Sequence, residues 1–372
     1  MNYKMIGRFL GRIVAVEAAF LLPAMAISLG YGRTQAALAF LLTFAIMAAV
    51  SAFLLLTCRK AGKLFGPREG LVCVGIGWTL LSLLGALPFV FSGEIPRFID
   101  AFFETVSGFT TTGSSILSAP EDLTEGILYW RSFSHWLGGM GVLVFLLAID
   151  GGSEGYTMHL LRAESPGPDV GKLVPKMKKT ATILYMLYIA LTVLNVIFLL
   201  WGGMNWLDAL CTAFGTAGTG GFGTKNDSLA SMSPYLQNVT TIFMALFGIN
   251  FSCYYLLLLG NWRSVVKDEE LRTYLLLIVG AVAIIVWNIR PLYGTFEETL
   301  RHAAFQVSSI ITTTGYGSTD FDTWPMLSKG ILLMLMLVGA CAGLHWSFLK
   351  DLADVYSRMD AHLFVAYAPD PD

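Results

Sequence analysis

The stretch QVSSIITTTGYGSTD, residues 306–320, breaks two apolar runs with a word rich in Thr and Gly. Two related words occur earlier, and all three align on one glycine without a gap. They read DAFFETVSGFTTTGSS (100–115), DALCTAFGTAGTGGFG (208–223) and HAAFQVSSIITTTGYG (302–317). The anchoring residues are Gly113, Gly221 and Gly315, spaced 108 and 94 residues apart. An internal repeat on this scale constrains the architecture before any single element is read.

The surroundings repeat as well. Before the words come LVCVGIGWTLLSLLGALPFVF (71–91), ATILYMLYIALTVLNVIFLLW (181–201) and YLLLIVGAVAIIVWNI (274–289). After them come polar loops and then WLGGMGVLVFLL (136–147), MALFGINFSCYYLLLL (244–259) and LLMLMLVGACAG (332–343). Each unit therefore reads as span, short amphipathic helix, Thr/Gly loop, span. The short helices are too short to cross a bilayer and fit half-membrane re-entrant segments.

Composition agrees. Of 372 residues, 55% are apolar and 13% charged, against about a quarter charged in soluble proteins. Eight apolar spans are expected near 9–30, 34–57, 70–92, 128–149, 180–202, 238–260, 273–289 and 329–343, each long enough or nearly so to cross a bilayer. The chain reads as an all-α integral membrane protein embedded in a lipid bilayer.

Basic residues orient it. With a cytoplasmic N-terminus, the inside segments hold fifteen Lys and Arg, among them Lys4, Arg59, Lys172 and Arg263. The outside segments hold five: Arg33, Arg97, Lys225, Arg290 and Arg301. That asymmetry sets the N-terminus inside, and all three re-entrant words then enter from outside. The first span lacks a small-residue cleavage site and is followed at once by a second, so it is not read as a signal peptide. The five cysteines lie in or beside spans without metal-ligand spacing and read as buried thiols. A net charge of −2 gives no reason to expect a nucleic-acid partner.

Non-helical backbone at membrane depth is tolerated only when buried in protein or lining water, so three such loops on one side imply a shared hydrated axis. A cation leaving water needs replacement oxygens, most simply successive backbone carbonyls. Gly adopts the backbone angles this demands at low cost, and Thr adds a hydroxyl. TTGSS (111–115), TGGFG (219–223) and TTGYG (313–317) match this demand position by position. Each short helix would turn its partly negative C-terminal end to the centre, which favours cations. A single TTG is more often a helix-packing site; three copies in one context favour a pore.

Other candidates are weaker. Glu104 on the first short helix could attract cations or be structural, and Thr212 and Gln306 take its place in the other copies. Glu17, inside the first span, is either functional or paired with Arg12. Arg131 reads as an interfacial residue reaching the membrane surface. The five His show no helical pairing, and no catalytic set, Walker sequence or dinucleotide fingerprint is present. Neither an enzyme nor a resident cofactor is expected.

AFFETVSGFTTTG (101–113), WRSFSHWLGGMGV (130–142), LLRAESPGP (160–168) with KLVPK (172–176), GINFSCYYLLLLG (248–260) and SIITTTGYGSTDFDTWP (309–325) resemble the Trk/Ktr/HKT potassium transporters over residues 1 to about 343. The resemblance implies an N-terminal two-helix hairpin and four helix–pore-loop–helix repeats around a pseudo-fourfold ion pore, of which three fit this chain. It implies boundaries at 1–66 (hairpin), 67–178 (repeat one with its cytoplasmic loop), 179–267 (repeat two), 268–343 (repeat three) and 344–372 (a tail unlike the family). It implies potassium ligands at Thr111, Thr112, Thr219, Gly220, Thr313 and Thr314, with Gly113, Gly221 and Gly315 as filter glycines. Three glycines there favour potassium over sodium. It also implies a homodimer in a bacterial inner membrane, a cytoplasmic nucleotide-binding regulatory subunit of the TrkA type, and K+ as the transported, filter-bound ion.

The departure lies after CAG (341–343), where the family continues with a small Gly-rich gating run and this chain reads LHWSFLKDLADVYSRMDAHLFVAYAPDPD. The fourth repeat is not in the sequence, which reads as truncated and inactive alone. The alternatives are a sodium-permeable family member and a non-transporting scaffold that modulates an intact subunit. The coupling ion is left open.

Overall fold

The computed structural model describes residues 2–59, 67–139, 141 and 177–339. The end of the span expected over 128–149, the AESPGP word and the tail from 344 lie outside these residues. The described elements are helices. The N-terminal hairpin is α1 (Tyr3–Gly30) and α2 (Thr34–Thr57). Asn2 caps α1 by accepting from the Met5 N–H at 3.2 Å, and Gly32 turns the chain at φ 73°. The hairpin closes on small residues, as membrane helix pairs do. Gly11 faces Leu54 and Leu55, and Ser51 Oγ donates to the Gly11 carbonyl at 2.7 Å.

Each repeat follows the order read from the sequence. In the first, α3 (Pro67–Gly85) and α4 (Leu87–Ser92) make one span, the short helix is α5 (Phe98–Phe109), and the return is α6 (Glu125–Gly139). The second has α7 (Met177–Trp201), α8 (Trp206–Ala217) and α9 (Pro234–Phe247). It continues into α10 (Phe251–Leu258) and α11 (Trp262–Val266). The third has α12 (Glu269–Ile289), α13 (Phe296–Ile311) and α14 (Met326–Val338). Helix starts carry their own signals. Thr295 accepts from the Glu298 N–H at 3.2 Å, Asp268 from Leu271 at 2.8 Å, and Ser233 precedes Pro234 at the first turn of α9.

Among the described residues, five helices are long and apolar enough to cross a membrane, or six counting one bent pair. That pair is the expected span near 238–260, and it is bent: α9 and α10 meet at 84°. The cause is local. Gly248 ends α9, and Asn250 starts a new helix by accepting from Ser252 at 3.0 Å while donating to Glu270 at 3.2 Å. Gly248 itself is wedged against the Tyr274 hydroxyl and Thr312, so the backbone turns where a side chain has no room.

Each repeat packs a core of its own, the first one shared with the hairpin. Trp130 of α6, fully buried, donates from Nε1 to the Gly85 carbonyl at 2.9 Å and stands edge-on to Phe109 at 6.2 Å. Leu38, Leu42, Ile46 and Phe53 of α2 and Leu276, Val279 and Trp287 of α12 are exposed. In water such a surface would be a liability; facing acyl chains it is the expected exterior. At one end of the bundle Arg33 pairs with Glu125 at 3.0 Å, and this hydrogen-bonded carboxylate raises the Arg33 pKa.

Candidate ion pathway

The three short helices end in the same way. At the end of α5 the Thr110, Thr111 and Thr112 N–H groups donate to the Val106, Gly108 and Ser107 carbonyls. At α8 the donors Gly218, Thr219 and Gly220 reach Phe214, Thr216 and Gly215. At α13 Thr312, Thr313 and Thr314 reach Ser308, Ile310 and Ser309. This is the Schellman pattern, which needs a left-handed residue just past the helix and normally uses Gly. Here the residue is Thr111 (φ 54°), Thr219 (φ 51°) and Thr313 (φ 57°). A β-branched residue in that conformation is a genuine outlier, at a cost of about 1–2 kcal/mol each. Outliers of this kind cluster at functional sites.

Two residues on, the backbone is left-handed again at Gly113 (φ 77°), Gly221 (φ 73°) and Gly315 (φ 83°). An extended strand points successive carbonyls to opposite sides. Reversing the sign of φ at every second residue turns them toward one side instead.

The structure brings these segments together in order. A Cβ built on Gly113 would strike the Gly220 carbonyl oxygen, and one on Gly221 would strike that of Thr314. Loop one therefore abuts loop two, and loop two abuts loop three. Among the described residues, nothing lies within 4 Å of a Cβ built on Gly315.

Side chains behind the loops explain why the three words differ. In loops one and three, hydroxyl pairs brace the backbone: Thr110 with Thr112 at 2.8 Å, and Thr312 with Thr314 at 2.7 Å. Loop two has Gly218 and Gly220 at those positions. His135 of α6 fills their space, with its carbonyl against Gly218 and its ring against Gly220, stacked on Phe222 at 3.9 Å. Loop two meets loop three through the Tyr316 hydroxyl, which donates at 3.2 Å to the Thr212 and Phe222 carbonyls.

Arg131 corrects its expected role. It is 3% exposed and donates from Nε to Glu104 Oε1 at 2.6 Å, so it reaches inward to a partner and not out to the surface. Glu104 is 1% exposed and engaged in this pair, which removes it as a carboxylate facing pore water. Reading the two together would have found the pair, because charges at membrane depth are normally partnered. Glu17 is also 1% exposed, and among the described residues neither of its oxygens has a hydrogen-bond partner. The alternative of a pair with Arg12 is not realised, since five residues along a helix place the two on different faces. Cys73, Cys211 and Cys253 are buried free thiols and Cys58 is half-buried; Cys341 lies outside the described residues.

Repeated span, short helix, left-handed loop and span, with the loops side by side, define a polytopic helix–pore-loop–helix membrane protein. The chain belongs to the TrkH family: the family model, described as a cation transport protein, matches residues 36–345. It is a transporter family and not an enzyme family. The Trk system potassium uptake protein TrkH of Escherichia coli K12 is 34% identical over 351 residues, covering 92% of this chain and 72% of that protein. TrkG of the same strain is 30% identical, covering 94% and 73%. The crystal structure of the potassium transporter TrkH from Vibrio parahaemolyticus superposes with a TM-score of 0.84 at 26% identity, covering 99% of this chain and 78% of that one.

Proposed function

We propose that the chain is a pore-forming subunit of a potassium uptake system, passing K+ inward through a filter built by Thr111, Thr112, Gly113, Thr219, Gly220, Gly221, Thr313, Thr314 and Gly315. The observation that carries this reading is the pair of left-handed positions repeated in the same places of three adjoining loops. Carbonyls turned to one side can replace the water of a dehydrated cation. The potassium uptake function named for the relatives favours K+ as that cation. A bacterial inner membrane, a cytoplasmic N-terminus, the repeat boundaries at 67–178, 179–267 and 268–343, a homodimer and a TrkA-type regulatory partner belong to the same reading, on the strength of the family likeness and the charge asymmetry.

The reading includes a fourth wall. Loops one and two each press a glycine against the next loop's carbonyl, and the seat beside Gly315 has no such neighbour among the described residues. Loops one, two and three supply three walls of that ring. The runner-up readings are a sodium-permeable pathway and a scaffold that modulates an intact subunit.

Flux into proteoliposomes separates them. The chain is tested alone and together with an intact family member, in K+, Na+ and choline. Flux with K+ ahead of Na+ supports the proposal; equal Na+ flux favours the second reading. Altered flux of the intact partner without ion binding by this chain favours the scaffold. No K+-dependent flux in either arrangement would refute the pore reading.

A further inference from the structure

Behind the filter, one ion pair touches two of its walls. Arg131 donates from Nε to Glu104 Oε1 at 2.6 Å and from Nη1 to the Gly223 carbonyl at 3.0 Å, and its guanidinium lies 3.6 Å from the centre of the Phe222 ring. Glu104 in turn accepts from Ser115 Oγ at 2.8 Å and the Ile116 N–H at 3.1 Å. Ser115 and Ile116 close the end of loop one; Phe222 and Gly223 close the end of loop two. The pair is thus a single bridge from one wall to the next.

A buried ion pair is weak evidence for stability, because desolvation offsets much of its attraction. Its geometry is better explained by position. Arg offers a rigid planar fork that fixes the directions of the carboxylate and the carbonyl it holds, whereas the rotatable donors of Lys leave that geometry unset. Walls two and three are held otherwise, by the Tyr316 hydroxyl, by the Gly317 N–H to Ser228 Oγ at 3.1 Å, and by the Leu229 N–H to the Gly317 carbonyl at 3.0 Å. On the third wall Gln306, aligned with Glu104, reaches only its own loop, donating to the Thr319 carbonyl at 3.1 Å. A charged spacer therefore joins walls one and two alone.

We propose that Arg131, neutralised by Glu104, is a specificity-determining positioning residue. It sets the separation of walls one and two and so the preference among monovalent cations. The proposal rests on the filter reading above. It is tested on the purified chain by the dependence of its melting temperature on KCl against NaCl, with choline chloride as the inert salt. Arg131→Lys, which keeps the charge, is expected to lower the K+ over Na+ preference at least about tenfold with the smaller change of melting temperature in choline. Glu104→Gln is expected to lower the preference likewise and also to lower the melting temperature in choline, because it leaves the buried guanidinium without its counter-charge. Hydrogen exchange in the same variants is expected to rise together in 113–118 and 220–226. A variant with unchanged preference overturns the proposal, as does faster exchange in only one of the two segments. A wild-type chain with no K+ preference fails the filter reading instead, and the paired exchange then decides whether the bridge itself exists.

Discussion

Gly221 lies so close to the Thr314 carbonyl that a methyl group on its α-carbon would overlap the oxygen, whereas the equivalent Gly315 faces no described neighbour. Both are left-handed, at φ 73° and 83°. Gly221→Ala should therefore cost about 1–2 kcal/mol of backbone strain and a further ~1–3 kcal/mol of overpacking. Gly315→Ala should cost only the first. Melting temperatures of the two purified variants check this; equal losses would mean that the seat beside Gly315 is filled.

The left-handed threonines are expected to trade stability against ion choice. Thr219→Gly and Thr313→Gly remove strain, and each should raise stability by up to about 1 kcal/mol once the added chain entropy of Gly is counted. The lost hydroxyl should weaken K+ over Na+ preference. Chemical denaturation together with ion-dependent melting reads both. A destabilised Thr219→Gly would show that the side chain holds the loop by more than its backbone angle.

Glu17 offers a stability gain. Its two oxygens are buried without partners among the described residues, beside Gly85, with Oε1 2.9 Å from a Cβ built there. Replacing an unsatisfied buried polar group by an apolar one of similar volume should stabilise by about 1–3 kcal/mol. Glu17→Leu is expected to melt higher than the wild type. A lower melting temperature would reveal a hidden partner for the carboxyl group.

Gly248→Ala tests the bend beneath the filter. A Cβ there would lie 2.7 Å from Thr312 Cγ2 and overlap the Tyr274 hydroxyl, which donates to the Ala245 carbonyl at 2.9 Å. The expected loss is about 1–3 kcal/mol, with faster exchange in 309–316. Tyr274→Phe removes the hydroxyl and should recover part of the loss in the double variant.

Much of this was legible in the residues. Length and apolarity alone placed five of the eight expected spans and a sixth that bends, while those near 128–149 and 329–343 run beyond the described residues; the aligned glycines located all three loops to the residue. What the alignment did not carry was everything that comes from another element. His135 explains why loop two reads Gly-Thr-Gly-Gly where its companions read Thr-Thr-Thr-Gly, but it sits more than eighty residues away in sequence. Arg131 and Glu104 were each visible as charges and were weighed singly, although burial at membrane depth makes each a reason to look for the other. The turn after Phe247 was hidden because Gly-Ile-Asn is apolar enough to pass as helix until Asn250 is seen capping a new one.

The three left-handed threonines also say where the shape of the proposed filter resides. Their torsions are not those a free peptide of the same sequence would prefer, so the loops borrow their form from the helices behind them. A detergent or lipid that loosens α6 from α8 should then blur discrimination between ions while circular dichroism still reports every helix intact. Selectivity, on this view, is a tertiary property and the first one to be lost.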